Sequence, residues 1–348
     1  MTIKEIAERA NVSLGTVDRV IHNRGKVANV TKEKILKILK DSDYKPNVYA
    51  RGLVLNKSFN IAAVLPRFNS GEYWEIPSKG IEQAFKDLNQ FGINVNFFRF
   101  DQNDIQSFVS AVTKLLDSNP DGVILAPVIN FEAINLTKKL KKLDIPFSII
   151  DSNLVGNKAI SFIGQDSFQS GRLAAMLLNS ILNGCYSLSI VSIKNNENHN
   201  DTLRKRIEGF KKYFSELINS SKFHIIEIDV DQRKENWKQE LEDILKEKKP
   251  DGIYVPSSKV HYVAEILDKN NLNSKLVGND LIANNIHYVE SGIINYVIGQ
   301  RPETQGYLAL ESFYKHLVTK QKITKEVYLP LDIITKENLK YYKSQIAF

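Results

Sequence analysis

Between Ser13 and Asn23 the chain reads SLGTVDRVIHN, and its side chains separate by helical spacing into two kinds. Val17, Val20 and Ile21 share one face, and Leu14, Gly15, Asp18, Arg19 and His22 are left on the other. An outward set of this kind can meet the edges of bases. Leu14 and Gly15 offer no side-chain hydrogen bond, so contact there is apolar, as with a thymine methyl, or base readout falls to Arg19 and His22. Asp18 can accept from a cytosine N4 or orient Arg19, and it can equally just pair with that arginine. Thr16 and Asn23 complete the candidate contacts in this run.

The elements that must hold this face follow from the neighbouring residues. Thr2, itself a candidate contact, can cap a first helix whose Ile3, Ile6, Ala7 and Ala10 lie on one side. Asn11 stands where the chain must turn sharply and tolerates a left-handed backbone. Ser13 caps the second helix. A third is expected from a cap at Thr31 through Ile35, Ile38 and Leu39 to about Asp43, with Lys32, Lys34, Lys37 and Lys40 outward. This is the helix-turn-helix pattern that enters a major groove. Up to Lys57 the chain holds 12 Lys/Arg and 6 Asp/Glu, a net of +6, so the remaining 35 Lys/Arg and 34 Asp/Glu leave only +1 of the total +7. A basic head on an electrically balanced body suits a phosphate-binding module tethered to a neutral one.

Tyr44-Lys45-Pro46-Asn47 breaks the third helix, because Pro46 disfavours helix at the residue before it. NVYARGLVLNKS follows. Here the chain resembles the LacI family of bacterial transcriptional repressors: VSLGTVDRV resembles the family's second-helix signature and YKPNxxARxL the start of its hinge helix. The match is specific over residues 2–57 and diffuse over the whole length. It implies a dimer whose paired hinge helices enter the minor groove of double-stranded operator DNA, with Asn47, Ala50, Arg51 and Leu53 as contacts and Leu53 as the wedge that kinks the duplex. Packing of a linker is the plainer role for Leu53. So short a helix should order only on DNA. Asp18 departs from the family, which more often has serine there, and the operator sequence is not readable.

Residues 59–348 alternate short apolar runs with amphipathic helices. IAAVLP, INVNFFRF, DGVILAPV and PFSIID are separated by helical stretches, and the rhythm resumes through SLSIVSI, FHIIEIDV, DGIYVP and KLVGND. This predicts an α/β class of two doubly wound parallel-sheet lobes. The layout resembles the type I periplasmic sugar-binding fold that the repressor family uses for effector binding and dimerisation. The expected domains are a helix-turn-helix head over 1–46, a hinge helix and linker over 47–58, and an effector domain over 59–348. Its first lobe is expected at about 59–163 and 301–325 and its second at about 164–300 and 326–348. The chain should cross between lobes near 162–166, 298–301 and 324–328.

In that fold the ligand lies between the strand C-terminal ends of the two lobes. The resemblance implies Tyr73 and Trp74 as aromatics against a sugar ring, with lobe packing as their plainer role. Asp151 ends a strand, where a carboxylate can accept from two hydroxyls. Arg206, in DTLRKRIEGFKKYF, matches the family's sugar-binding arginine, and its fork can donate to hydroxyls while an acid holds it. Asp280 in LVGND matches the strand-end aspartate, and Gln300 matches a glutamine that grips hydroxyls. Where relatives have Asn or Asp after the DGIYVP-type strand, this chain has Ser257-Ser258, so the sugar is larger, differently substituted or bridged by water. A purine or another small metabolite is the rival within the same fold.

Other chemistry lacks its residues. The single cysteine, Cys185, allows no intrachain disulfide and fits a reducing cytoplasm. Six scattered histidines show no metal spacing, and Asn198-His199-Asn200-Asp201 reads as a solvent-facing loop. No Walker loop, GxSxG elbow or helix-opening GxGxxG occurs. No metal or cofactor is expected. No leader or long apolar run is found, which points to a cytoplasmic protein without membrane association. The alternative of a sugar-modifying enzyme with a DNA-binding appendage lacks a catalytic pair.

Overall fold

The computed structural model describes the chain except for residues 1–2, 22–24, 26, 43–56, 155, 157, 183–185, 196–200, 218–221 and 347–348. It divides into two units, Met1–Val54 and Leu55–Phe348.

In the first unit, α1 (Ile3–Ala10), α2 (Leu14–Ile21) and α3 (Asn29–Asp41) enclose a small core of Ile6, Ala7, Ala10, Val17, Val20 and Ile35. Asn11 takes the left-handed conformation expected of the turn, at φ 57°. Ser13 caps α2, its Oγ accepting from the Thr16 N–H at 3.3 Å. The expected cap at Thr31 is corrected. α3 already starts at Asn29 after Ala28, which makes no side-chain cap bond, and the Lys32 N–H donates to the Ala28 carbonyl. Because neither Ala28 nor Asn29 supplies a capping side-chain bond, the sequence concealed this first turn. The expectations for Thr2, His22, Asn23, Cys185 and the hinge residues Asn47, Ala50, Arg51 and Leu53 lie outside the described residues.

The second unit contains two six-stranded sheets of the same order. In the first, β1 (Phe59–Pro66) lies between β2 (Ile93–Phe100) and β3 (Gly122–Leu125), followed by β4 (Phe147–Asp151), β5 (Ser161–Gly164) and β11 (Glu326–Tyr328). In the second, β6 (Tyr186–Lys194) lies between β7 (Phe223–Asp231) and β8 (Gly252–Val255), followed by β9 (Lys275–Asn279), β10 (Tyr296–Gly299) and β12 (Asp332–Ile334). All pairings are parallel except that of β12 with β10. The inner strands β3 and β8 are buried throughout and read as apolar runs, as strands covered on both faces must.

The helices are α4 (Glu75–Leu88), α5 (Ile105–Asp117) and α6 (Asn130–Lys142) in the first lobe, then α7 (Ser167–Ile181), α8 (Asp201–Ser215), α9 (Trp237–Lys248), α10 (Val260–Lys269) and α11 (Ala283–Ser291) in the second. Helix α12 (Pro302–Phe313) returns to pack on α4, β4 and β5, and α13 (Lys340–Ile346) ends the chain. The crossings thus fall after β5, after β10 and between β11 and β12. The third lies beyond the expected 324–328, and the 325/326 boundary is corrected: β11 still belongs to the first sheet, pairing with β5 from Glu326↔Phe162 to Tyr328↔Gly164.

Each lobe presses one pair of helices together through glycines. A Cβ on Gly80 would lie 2.0 Å from the Glu303 carbonyl oxygen, and one on Gly306 equally close to that of Pro77, which locks α4 on α12. In the second lobe a Cβ on Gly171 would lie 1.8 Å from the Arg206 carbonyl oxygen, and one on Gly209 2.0 Å from that of Phe168. No other residue fits such an approach.

Candidate functional site

Asp151 ends β4 and Asp280 follows β9, and both are left-handed, at φ 69° and 66°. Such backbone persists only where the surroundings hold it. Here they do. The Asp151 N–H donates to Gln305 Oε1 at 3.0 Å, and Gln305 Nε2 donates in turn to the Gln300 carbonyl at 2.9 Å. The Asp280 N–H donates to the Ile298 carbonyl, and its own carbonyl accepts from Asn285 Nδ2 at 2.8 Å.

These backbones bring the two carboxylates from opposite lobes to one amide. Gln300 Nε2 donates to Asp280 Oδ1 at 2.7 Å and reaches Asp151 Oδ1 at 3.5 Å, while the Tyr73 hydroxyl donates to the same Asp151 oxygen at 2.7 Å. Arg206 lies beside them, 2% exposed, on the backbone pinned by Gly171. Its Nη1 donates to the Pro256 carbonyl at 2.8 Å and stands 3.8 Å from Asp280 Oδ2. Its Nε and Nη2 have no hydrogen-bond partner among the described residues. Burial raises the Asp280 carboxyl to about 6, against the opposing pull of Arg206. Asp151 is also raised by burial, opposed by the Tyr73 hydrogen bond and by Arg206. Burial, with the neighbouring Asp151 charge adding to it, pushes the Tyr73 phenol well above its usual value. The site therefore offers unused guanidinium donors beside partly used carboxylate acceptors, a combination suited to a polyhydroxylated ligand.

Tyr73, Trp74, Asp151, Arg206, Ser257, Asp280 and Gln300 all line one cavity of about 310 Å³ between the lobes. They do not contribute equally. Trp74 is 8% exposed and belongs mainly to the first lobe's core, in edge-to-face contact with Tyr73 at 5.1 Å. Several residues at or beside the site were missed by sequence reasoning. Gln305 and Asn285 support the aspartates from behind, and Thr202 hydrogen-bonds Ser152 across the lobes. Lys259 enters the cavity directly after the two serines. The position of Thr202 on the helix of Arg206 was the available signal for that residue, and the adjacency of Lys259 to Ser257-Ser258 was the signal for the lysine.

On the first unit, Leu14 is 53% exposed, and Gly15, Asp18 and Arg19 are also exposed, while Val17 and Val20 are buried. Thr16 is half-buried and its hydroxyl is 2.9 Å from Ser13 Oγ. The outward face of α2 carries the expected Leu14, Gly15, Asp18 and Arg19, and on α3 Lys34, Lys37 and Lys40 are exposed while Lys32 is half-buried.

A helix-turn-helix head joined to a two-lobed, three-crossing binding domain defines a ligand-binding DNA regulator. The comparisons agree: residues 2–47 match the model of the LacI family of bacterial regulatory proteins, and residues 61–321 match that of a periplasmic binding protein domain. The chain belongs to the LacI family of DNA-binding transcriptional regulators, with an effector domain of periplasmic-binding-protein type. It is 26% identical over 99% of both chains to the ribose operon repressor of Lactococcus lactis subsp. lactis. With the sucrose operon repressor of Streptococcus mutans it shares 27% identity over 96% of this chain and 92% of that one. A solved structure described as a LacI transcriptional regulator from Bacteroides fragilis superposes with a TM-score of 0.76 at 29% identity, covering 82% of this chain and 99% of that one. No helix among the described residues is long and apolar enough to cross a membrane.

Proposed function

We propose that the protein is a cytoplasmic homodimeric repressor that binds operator DNA through the outward face of α2, and that a small sugar or sugar derivative between the lobes controls that binding. The observation that carries the effector reading is Arg206. A buried guanidinium with two nitrogens unpaired among the described residues, beside carboxylates from both lobes, suits hydroxyl oxygens that accept from the arginine and donate to the acids. The names of the ribose and sucrose operon repressors favour the same class. We read the cleft as a binding site rather than an active site, because Gln300 ties its two carboxylates into one row of hydroxyl acceptors. The effector acts by its differential affinity for two lobe arrangements, and the difference appears as a coupling free energy at the operator.

The test separates head from body. Operator affinity of the full chain should fall steeply with salt, as phosphate contacts release counterions. A fragment of residues 58–348 should bind effector and remain dimeric, yet bind no operator. Specific operator binding by that fragment would sink the assignment of DNA recognition to the head.

A further inference from the structure

Away from the aspartates the same cavity changes sign. Lys259, the last residue before α10, points its Nζ at the Ile193 carbonyl at 3.0 Å, Asn195 Oδ1 at 2.5 Å and Gln232 Oε1 at 2.8 Å. All three acceptors are neutral. Among the described residues no carboxylate lies within ion-pairing distance of it, although burial drives its ammonium down to about 8. Glu72, the acid whose charge it feels from the first lobe, already accepts from the Asn69 N–H at 2.9 Å and from Asn69 Nδ2 at 3.1 Å. The neighbouring Lys194 is paired with Asp229 at 2.6 Å. His261, at the start of α10, is held to Asn285 and is pushed by burial toward its neutral form.

A cation withdrawn from water is ordinarily matched by an anion, and amide oxygens compensate it only in part. The amino end of α10 adds positive potential at the same corner, and the Ser257 and Ser258 hydroxyls border it. Two of the three partners of Lys259 are side-chain amides. Rotation of Asn195 and Gln232 would free Nζ and turn their NH2 groups toward an incoming anion. The cavity therefore has an acidic end that suits hydroxyls and a basic end where, among the described residues, no carboxylate pairs with Lys259.

We propose that the effector is an anionic sugar, with ring hydroxyls on the Asp151–Gln300–Asp280 row and a carboxylate or phosphate ester against Lys259. This rests on the sugar reading of the cleft. It accounts for serines at 257 and 258, since short side chains leave room for the substituent.

The full chain would be titrated calorimetrically with glucose, galactose and mannose, each beside its uronic acid and its 6-phosphate. For at least one of these sugars an anionic form should bind about ten-fold or more tightly than its neutral parent. The arm that shows the preference identifies the anion. Lys259→Met should collapse the ratio of the two affinities toward one, and Lys259→Arg should keep it. A neutral parent that binds as well as both anionic forms, or a ratio that Lys259→Met leaves unchanged, overturns the anionic assignment while the sugar reading stands. Binding by none of these sugars overturns both.

Discussion

The two lobes share one plan, with the same strand order, the same reciprocal pair of glycines and even the same connector, Ile163-Gly164-Gln165 at the first crossing and Ile298-Gly299-Gln300 at the second. What they contribute to the cleft differs. The first lobe supplies Tyr73, Trp74 and the carboxylates of Glu72 and Asp151, whereas the second supplies the Asp280 carboxylate and the cations Lys194, Arg206 and Lys259. The connectors diverge most. Gln300 bridges two aspartates, while Gln165, buried to 2% exposure, finds no partner among the described residues for either amide atom. A repeated scaffold therefore fixes where strand ends meet, and single side chains decide which end of the cleft does what.

The strongest test of the shared scaffold is to fill its glycine contacts. Gly306→Val in the first lobe and Gly209→Val in the second should each cost roughly 3 kcal/mol or more, because the added atoms meet backbone that cannot yield. Chemical denaturation would reveal two similar losses. A tolerated substitution in only one lobe would show that the equivalence is superficial.

Arg206→Ala tests the asymmetry. It should cost on the order of 1–3 kcal/mol or more of effector affinity by calorimetry, since it removes the donors and leaves the aspartates without their cation. Operator binding without effector should hardly change. Arg206→Lys should recover only part of the affinity, for an ammonium lacks the planar fork.

The pH dependence of the free protein gives a smaller effect of known sign. The Asp280 carboxyl is raised from 3.8 to about 6 in the folded state, so between those values the folded chain holds a proton that the unfolded chain has lost. Its contribution to stability should be fully present at the acid end of that window and decline as pH rises through about 6. Asp280→Asn should flatten this dependence of the melting temperature. An equally steep profile in the variant would remove Asp280 as its source.

The smallest effect separates the two connectors. Gln165→Leu should leave stability unchanged or raise it by up to ~1 kcal/mol, since it replaces an unsatisfied buried amide with an apolar group. Gln300→Leu should weaken effector binding. Equal loss of effector affinity in both variants would make Gln165 part of the site.

Much of this was legible in the residues. The alternation of apolar runs with amphipathic helices marked both sheets, and Asn11 and Ser13 marked the turn and cap of the head. Strand-end Asp151 and Asp280 and helix-borne Arg206 converge on one cavity as the family pattern suggested. Contacts between distant segments were less legible. Gln305 meets Asp151 and Asn285 meets Asp280 only after the strands are ordered, and neither residue stands in a motif. The third crossing was misplaced because β11 is three residues long and half exposed, too short for its pattern to show which sheet it joins. Trp74 was ambiguous for a related reason: an aromatic beside a cleft packs inward and outward at once.

The threefold crossing also dictates the order in which this polypeptide can mature on the ribosome. The helices of the head are contiguous and can assemble as soon as residue 41 has emerged. Neither sheet has that freedom. The first lacks an edge until residues 326–328 are made, and the second until residues 332–334 are made, so both lobes are finished within a few residues of each other. From the making of β5 at residues 161–164 until that of β11 at residues 326–328, the outer edge of β5 is uncovered, and that interval is when a nascent chain is most open to unwanted strand pairing.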